Sequence, residues 1–306
     1  MYTPFKLRKI LIPVDFSISS SIALEHAAEL CKHFNIELHL LNVCRSINAD
    51  VLPSISASNI YVHHNEAELK SLITEKLNEL GHKLNEKYNV SYQIEVRNGN
   101  VAKEITKSAD ENEIDLIVMG THGVKGFEEF FIGSNAYRVV TSAKQPVLTV
   151  QSSAKNGGYQ SILLPIDSTI HTRDKVSQAA LIAKAFDAKI HIVGLITEEH
   201  EEEEAIYKLK IKQIEEYLEG KGVKYNRTLM HGEDIADMTL NFAKENNVDL
   251  IVMMTEQEAS TGLFVGPYAQ RIVNHSKTPV LSVTPIQIID SFSRGELGGD
   301  YRPFHI

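Results

Sequence analysis

The chain has 306 residues, which at about 150 residues per domain indicates two domains. Hydrophobic residues make up 43% and charged residues 23% of the sequence, so a mainly disordered chain is excluded. The net charge of −9 argues against nucleic-acid or anionic-membrane partners, which need a basic surface. Residues 1–9 lack a secretory-signal pattern, and no run approaches the roughly 18 apolar residues of a membrane span. Two cysteines, Cys31 and Cys44, are too few for a disulfide framework. We therefore expect a cytoplasmic protein.

Short apolar runs alternate with helical patterns through the first half of the chain. In chain order we predict strand Ile10–Val14, helix Ser19–Phe34, strand Glu37–Val43, helix Ala67–Lys87, strand Val90–Val96, helix Ala102–Asn112, strand Asp115–Met119, helix Ser134–Ala143 and strand Val147–Val150. The last two strands are apolar on both faces, as in a parallel sheet covered by helices. The pattern predicts a doubly wound α/β domain, whose ligands bind at the carboxyl ends of the strands.

The second half of the chain repeats the first. The segment at 9–17 is echoed at 160–168, and Asp-Leu-Ile-Val-Met occurs identically at 115–119 and 249–253. The offset falls from 152 to 134 residues, so the first copy carries 18 additional residues, which we place around 45–65. The sequence therefore predicts two versions of one domain at 1–152 and 158–285, followed by a tail at 286–306.

A glycine-rich segment directly follows the fourth predicted strand. Its spacing is Gly120, two residues, Gly123, nine residues, and then Gly133-Ser134. Gly120 would let a ligand lie close to the strand end, and Gly123 can adopt a positive φ that turns N–H groups toward an anion. Gly133 and Ser134 would begin a helix, whose N-terminus attracts phosphate. An ordinary glycine-rich loop with an N-cap serine is the alternative interpretation.

These features resemble the universal stress protein (UspA) family, as a tandem member, over nearly all of residues 5–285. The first copy carries the family's nucleotide-binding signature, Gly-2x-Gly-9x-Gly-(Ser/Thr), complete. The resemblance implies two tandem Rossmann-like domains of the adenine nucleotide alpha hydrolase type, each a five-stranded parallel sheet with helices on both faces. It also implies that the fifth strands, Val147–Val150 and Val280–Val283, pair within the chain, which would cover two apolar edges. A further homodimer is left open.

The resemblance implies an adenine nucleotide as the ligand, either ATP, ADP or AMP, with Mg²⁺ as a companion of the triphosphate. Adenosine would lie against Asp15, with Pro13 beside it, and against Val43, while Met119 would add a hydrophobic contact. The phosphates would lie on the backbone around Gly120, Gly123, Gly133, Ser134 and Asn135. For Asp15, a helix cap or turn residue is the structural alternative.

The second copy departs from the signature. Met254 and Gln257 replace the two loop glycines, and Pro267 replaces the serine and removes a backbone N–H donor. Glu256 and Glu258 add negative charge where phosphates would lie, although Asp167 is retained. We therefore expect no nucleotide in the second domain and interpret it as a structural partner of the first.

The sequence predicts an ATP-binding stress-response or regulatory protein that acts on an unidentified protein partner. No catalytic residue is predicted, because the sequence has no nucleophile elbow, no His-Glu-x-x-His helix and no paired-carboxylate pattern, so at most slow ATP hydrolysis is expected. Two alternatives stay open. One is a nucleotide-independent interaction module, as the degenerate second copy suggests, and the other is a slow ATPase or a nucleotide-dependent transferase.

Overall fold

In the computed structural model, the first repeat forms a parallel α/β domain. The structure describes residues 5–44, 58–121, 133–151, 154, 158–169, 171–197, 204–255 and 266–285, and it describes side chains in the second helix from residue 67 onward. The elements of the first domain are β1 (Lys9–Pro13), α1 (Ile18–Cys31), β2 (Glu37–Cys44), α2 (Ser58–Tyr88), β3 (Ser91–Asn98), α3 (Val101–Glu111), β4 (Leu116–Gly120), α4 (Ser134–Ser142) and β5 (Val147–Val150).

The second repeat has the same order of elements. They are β6 (Ser161–Ile166), α5 (Val176–Phe186), β7 (Lys189–Ile196), α6 (Glu204–Lys221), β8 (Lys224–His231), α7 (Ile235–Glu245), β9 (Leu250–Met254), α8 (Pro267–His275) and β10 (Val280–Val283). The predicted fold class is therefore confirmed, with strands and helices alternating twice through the chain.

The two domains share one ten-stranded sheet, with strand order β3-β2-β1-β4-β5-β10-β9-β6-β7-β8. Strands within each domain pair in parallel. At the centre, β5 and β10 pair antiparallel, with Leu148 opposite Leu281. The intramolecular pairing of the fifth strands that the resemblance implied is thus present, and it leaves neither of these apolar strands as an open edge.

The repeated Asp-Leu-Ile-Val-Met segment has a structural explanation. Asp115, just before β4, accepts hydrogen bonds from the backbone N–H groups of Arg8 and Lys9 at 2.8 and 3.0 Å. Asp249 accepts the matching bonds from Gln160 and Ser161, both at 3.0 Å. In both domains, this carboxylate therefore ties the start of the central strand to the start of its neighbour, and the apolar residues that follow are buried.

Helices cover both faces of the sheet. Ile10 and Ile12 of β1 lie on the face of the sheet that α1, α2, α5 and α6 cover, whereas Leu11 lies on the face that α3, α4, α7 and α8 cover. This alternation follows from the two-residue period of a strand. Because both faces are covered, residues 117–119 and 147–148 are buried and apolar on both faces of the sheet, as their sequences predicted.

The additional length of the first copy is partly helical. Helix α2 has 31 residues, whereas its counterpart α6 has 18. Helix α2 begins at Ser58, nine residues before the predicted helix Ala67–Lys87, so part of the segment that we assigned to the insertion at 45–65 is helical. Residues 45–57 lie outside the described residues.

A buried polar contact joins the two domains away from the central strands. His26 of α1 lies 3.0 Å through its Nδ1 from the hydroxyl of Tyr159, which precedes β6. The Tyr159 ring packs edge-on against Phe186, and Phe186 also lies against His33. Burial lowers the pKa of His26 to about 4, so the neutral imidazole belongs to the packed state.

Candidate functional site

A pocket of about 450 Å³ lies at the carboxyl ends of the first domain's strands. This is where ligands bind in doubly wound sheets, and the volume is within the usual range for small-molecule sites. Eight of the nine residues singled out from the sequence line it: Pro13, Asp15, Val43, Met119, Gly120, Gly133, Ser134 and Asn135. The ninth, Gly123, lies outside the described residues.

Asp15 belongs to the tight connection between β1 and α1. Its Oδ1 accepts the backbone N–H of Ser17 at 3.0 Å, and Phe16 between them has a left-handed φ of 61°. The N-cap of α1 is Ser17, whose hydroxyl oxygen accepts the N–H of Ser20 at 3.2 Å. Asp15 is therefore a turn residue and not the cap, and within the described residues its Oδ2 makes no hydrogen bond and remains available at the pocket.

Gly120 ends β4 beneath the start of α1. A Cβ at this position would lie 2.6 Å from the backbone carbonyl carbon and oxygen of Ser19. We expected the missing side chain to make room for a ligand, but the close packing of α1 already requires it. Gly120 therefore allows α1 to pack closely against β4. This close approach of the helix is what the glycine contributes to the shape of the pocket.

Helix α4 points its N-terminus at the pocket. It has nine residues, and its N-cap, Gly133, supplies no side-chain hydrogen bond to the first turn. The Gly133 N–H donates to the carbonyl of Thr121, which closes the ends of the intervening segment on each other. Ser134 and Asn135 follow in the first turn and line the pocket. Uncapped backbone N–H groups with a positive helix dipole suit an anionic ligand.

The walls of the pocket are mostly uncharged. Met119 is buried and Val43 half-buried, and both pack into the apolar cluster beneath α3 and α4. Asp15 is the one charged residue among the described residues that line the pocket. Among the described residues, an anion would therefore be held by backbone N–H groups and a helix end, a mode of binding that is compatible with a net charge of −9.

The structure adds pocket residues that the sequence did not single out. They are Val14, Ser17, Ser20, Leu41, Asn42, Val101, Ile105, Thr121 and Ala136. Ser17 and Ser20 could have been found from the run of serines at the start of α1, since serine is a preferred N-cap residue. Asn42 was the least expected, because the role of a buried polar residue in a strand is visible only from its partner. Its Nδ2 donates to the carbonyl of Val14 at 2.6 Å.

The matching crevice of the second domain is built differently. Asp167, the counterpart of Asp15, is buried, and its Oδ1 accepts both the N–H and the hydroxyl of Thr169 at 2.9 and 2.6 Å. Helix α5 begins only at Val176, whereas the position that matches the start of α1 at Ile18 is residue 170. Met254 is buried at the position of Gly120. In this domain, a non-helical segment at 171–175 takes the place of the first residues of the helix and covers Asp167.

Two buried lysines lie beside Asp167. Lys210 of α6 donates from Nζ to the carbonyls of Asp167, Ser168 and Thr169 at 3.3, 2.8 and 3.1 Å. Lys175 is 1% exposed and donates to the hydroxyl of Thr172 at 3.3 Å. Burial lowers the pKa of Lys175 to about 8, against the attraction of Asp167 and Asp174. The loop that borders the pocket in the first domain has a counterpart in the second domain that is bound to the ammonium group of Lys210.

Two further properties limit the chemistry of the described residues. Among them, no group of three or more His, Cys, Asp or Glu side chains is arranged to hold a metal ion. None of the helices in the described ranges is both long and apolar enough to cross a membrane. Asp15 supplies the one carboxylate among the described residues that line the pocket, so these residues offer too few oxygen ligands to hold Mg²⁺ by themselves.

Known proteins match the chain over both domains. The model of the universal stress protein family matches residues 6–151 and 158–284. A universal stress protein of Methanocaldococcus jannaschii is 35% identical over 156 residues, which cover 48% of this chain and 84% of the relative. A second one from the same organism is 31% identical over 153 residues, covering 47% and 94%. A solved universal stress protein of Archaeoglobus fulgidus has the same fold, with a TM-score of 0.72 at 20% identity over 90% of this chain and 98% of that one.

Proposed function

Because the chain belongs to the universal stress protein family, we propose that it is a stress-response regulator that binds one adenine nucleotide, ATP, ADP or AMP, in its first domain. The observation that carries this proposal is the convergence of eight positions of the family's nucleotide site on one pocket. These positions come from four separate segments of the chain, and an ordinary glycine-rich loop would not require them to meet.

The geometry supports a division of the pocket into two ends. Asp15, Val43 and Met119 offer one free carboxylate oxygen and two apolar surfaces, which suit a ribose and a flat base. Gly133, Ser134 and Asn135 offer the N-terminus of α4, which suits phosphates. The proposed ligand therefore lies across the strand ends, from β2 to α4.

The second domain would hold no nucleotide in this manner. Met254 fills the position of Gly120, Pro267 lacks the N–H that Ser134 has, and Lys210 occupies the loop carbonyls beside Asp167. We propose that this domain supports the first through the shared sheet and offers a surface for a protein partner. These replacements also favour the second candidate function, a nucleotide-independent interaction module.

We propose binding rather than turnover. The described pocket residues include one carboxylate and no lysine, arginine or histidine, so they lack the groups that usually stabilise phosphoryl transfer. Hydrolysis of ATP would then be slow or absent.

The test is calorimetric titration with Mg-ATP, Mg-ADP and AMP, together with mass spectrometry of ligand released from the purified protein. The variant is Ser134→Pro, which copies Pro267 of the second domain. Proline is tolerated at the first position of a helix, so α4 should form while one phosphate-facing N–H is lost. We expect at least about a tenfold loss of affinity.

Ser142→Ala is the matched control, because Ser142 lies at the other end of α4 and its hydroxyl donates only to the carbonyl of Arg138 at 2.6 Å. Its nucleotide affinity should equal that of the unmodified protein. Unchanged affinity in Ser134→Pro would contradict the assignment of the phosphate end. If the unmodified protein neither releases nor binds an adenine nucleotide, the interaction module becomes the better description.

A further inference from the structure

An arginine stands at the same place in α4 and in its counterpart α8. Arg138 and Arg271 are each the fifth residue of a nine-residue helix. In the second domain, the guanidinium of Arg271 donates from Nη1 to Asp234 and from Nη2 to Asp237, both at 2.7 Å. These two carboxylates belong to the N-cap and the first turn of α7. An arginine at this position of the helix therefore lies beside the start of the neighbouring helix.

The first domain keeps the arginine but not its acidic partners. Asn100 is the N-cap of α3 at the position of Asp234, and Lys103 stands at the position of Asp237. The Arg138 side chain is exposed, and within the described residues its guanidinium makes no hydrogen bond or ion pair. The start of α3 thus faces an arginine that has lost both carboxylates and gained a second cation beside it.

This arginine lies close to the phosphate end of the pocket. Val101 in the first turn of α3 and Ser134 in the first turn of α4 both line the pocket. Arg138 follows Ser134 by four residues, so the two share a face of α4 and are separated by about 6 Å along the helix axis. Because helical side chains point back toward the N-terminus, the long Arg138 side chain can reach the helix end to which the phosphates are assigned.

The pocket walls offer no cation to a chain of phosphates. Asp15 is the one charged residue among the described residues that line them. The N-terminus of α4 suits one phosphate group, and its favourable field fades within the first turn. A second or third phosphate would therefore need a counter-charge from outside the walls. A guanidinium suits this role, because its planar fork binds two phosphate oxygens at once.

We propose that Arg138 binds the terminal phosphate of the nucleotide, with Lys103 adding positive charge, and that it thereby makes the site prefer ATP to AMP. This inference rests on the proposed adenine-nucleotide site of the first domain. In the second domain, Asp234 and Asp237 neutralise the matching arginine. The replacement of these two carboxylates in the first domain leaves the guanidinium available for an anionic ligand.

The experiment is calorimetric titration of the full chain with Mg-ATP and with AMP. We expect the unmodified protein to bind ATP more tightly than AMP. In Arg138→Gln, the affinity for ATP should fall about tenfold, the size expected for one hydrogen bond between charged groups, while the affinity for AMP changes less than about twofold. The loss for ATP should shrink at high salt, which screens exposed charges.

Two variants serve as matched controls. Arg271→Gln removes the same side chain from the second domain, where it pairs only with the two aspartates. Lys144→Gln removes one positive charge just beyond the end of α4, where the lysine pairs with Asp110 at 2.8 Å. Neither variant should change the affinity for ATP or for AMP. Melting curves show whether each variant is folded.

Three results would overturn the role of Arg138 and leave the proposed function intact. They are equal binding of ATP and AMP by the unmodified protein, an unchanged or equal change in both affinities in folded Arg138→Gln, and a loss for ATP of the same size in Lys144→Gln. If the unmodified protein binds neither nucleotide, the proposed function itself is contradicted.

Discussion

The two crevices of this chain share their topology and their aspartate but differ in what fills them. In the first, α1 starts three residues after Asp15, and the space above the strand ends is a pocket. In the second, the helix starts nine residues after Asp167, and turns and Lys210 occupy the corresponding region. Two domains of one fold therefore differ at the carboxyl ends of their strands because the chain just after the first strand takes a different course in each.

The largest expected effect comes from exchanging the residue at the end of the fourth strand. Gly120→Met copies Met254, but its Cβ would lie 2.6 Å from the Ser19 backbone. We expect a loss of roughly 3 kcal/mol or more in the free energy of unfolding, because backbone cannot yield as a side chain can. Urea unfolding measures it.

Gly220→Ala is the matched glycine control, because nothing lies within 4 Å of a Cβ at that position in α6. It should leave stability unchanged or raise it by about 0.5 kcal/mol, since alanine favours a helix. Equal stability of Gly120→Met and the unmodified protein would show that α1 does not approach the strand as closely as described.

Removing the ammonium group from the second crevice should have the next largest effect. Lys210→Leu leaves three backbone carbonyls without their donor, and we expect a loss of about 2 kcal/mol in the free energy of unfolding. The control is Lys208→Leu on the same helix, where the lysine is exposed and pairs only with Glu204 at 2.6 Å. That pair should contribute less than about 0.5 kcal/mol. Similar losses in both variants would contradict the role of Lys210.

Acid should weaken the contact between the domains at His26. Burial lowers the pKa of this imidazole from 6.5 to about 4, so below pH 6.5 the unfolded chain takes up a proton that the folded protein does not. Stability contributed by the neutral form is complete above pH 6.5 and falls as the pH decreases toward 4. Between pH 6.5 and 5 we expect a loss of about 1.5 kcal/mol.

His26→Gln provides the comparison, because Gln178 stands at the matching position of α5. In this variant, the free energy of unfolding should no longer include the decrease between pH 6.5 and 5 that His26 causes, whatever the stability at pH 7. Urea unfolding at each pH measures this difference. A slope that persists unchanged in His26→Gln would assign the acid sensitivity to other groups.

The smallest expected effect concerns an ion network that the second domain lacks. Arg97 pairs with Glu95 and Glu111, both at 2.5 Å, and with Glu104 at 3.5 Å. Burial alone would raise the pKa of Glu95, but hydrogen bonds from Ser108, His39 and Arg97 hold it below its usual value. Met230 stands at the position of Arg97.

Arg97→Met should cost about 1 kcal/mol in the free energy of unfolding, because it leaves partly exposed carboxylates without their counter-charge. The cost should shrink in 1 M salt, which screens exposed charges. A cost that does not respond to salt would indicate packing of the arginine side chain rather than its charge.

Much of the fold and of the first site could be predicted from the sequence because the signals are local. Strand and helix periods, the repeat and the glycine spacing each lie within a few residues of one another. Asn42, by contrast, gave no signal, since its partner Val14 is 28 residues away. The sequence pointed to Gly120 but did not reveal its full role. A glycine indicates that another group lies close to the backbone, without indicating which group it is.

Hydrophobic periods and lost glycines can be read without coordinates, so the sequence alone was enough to predict two copies of an α/β domain, of which only the first keeps the glycine spacing. The three-dimensional contacts were needed to see that Lys210 binds the loop after Asp167, that α1 packs against Gly120, and that His26 and Tyr159 join the domains. The physical reason is that these contacts unite residues far apart in the chain, whose approach depends on how helices pack across a shared sheet.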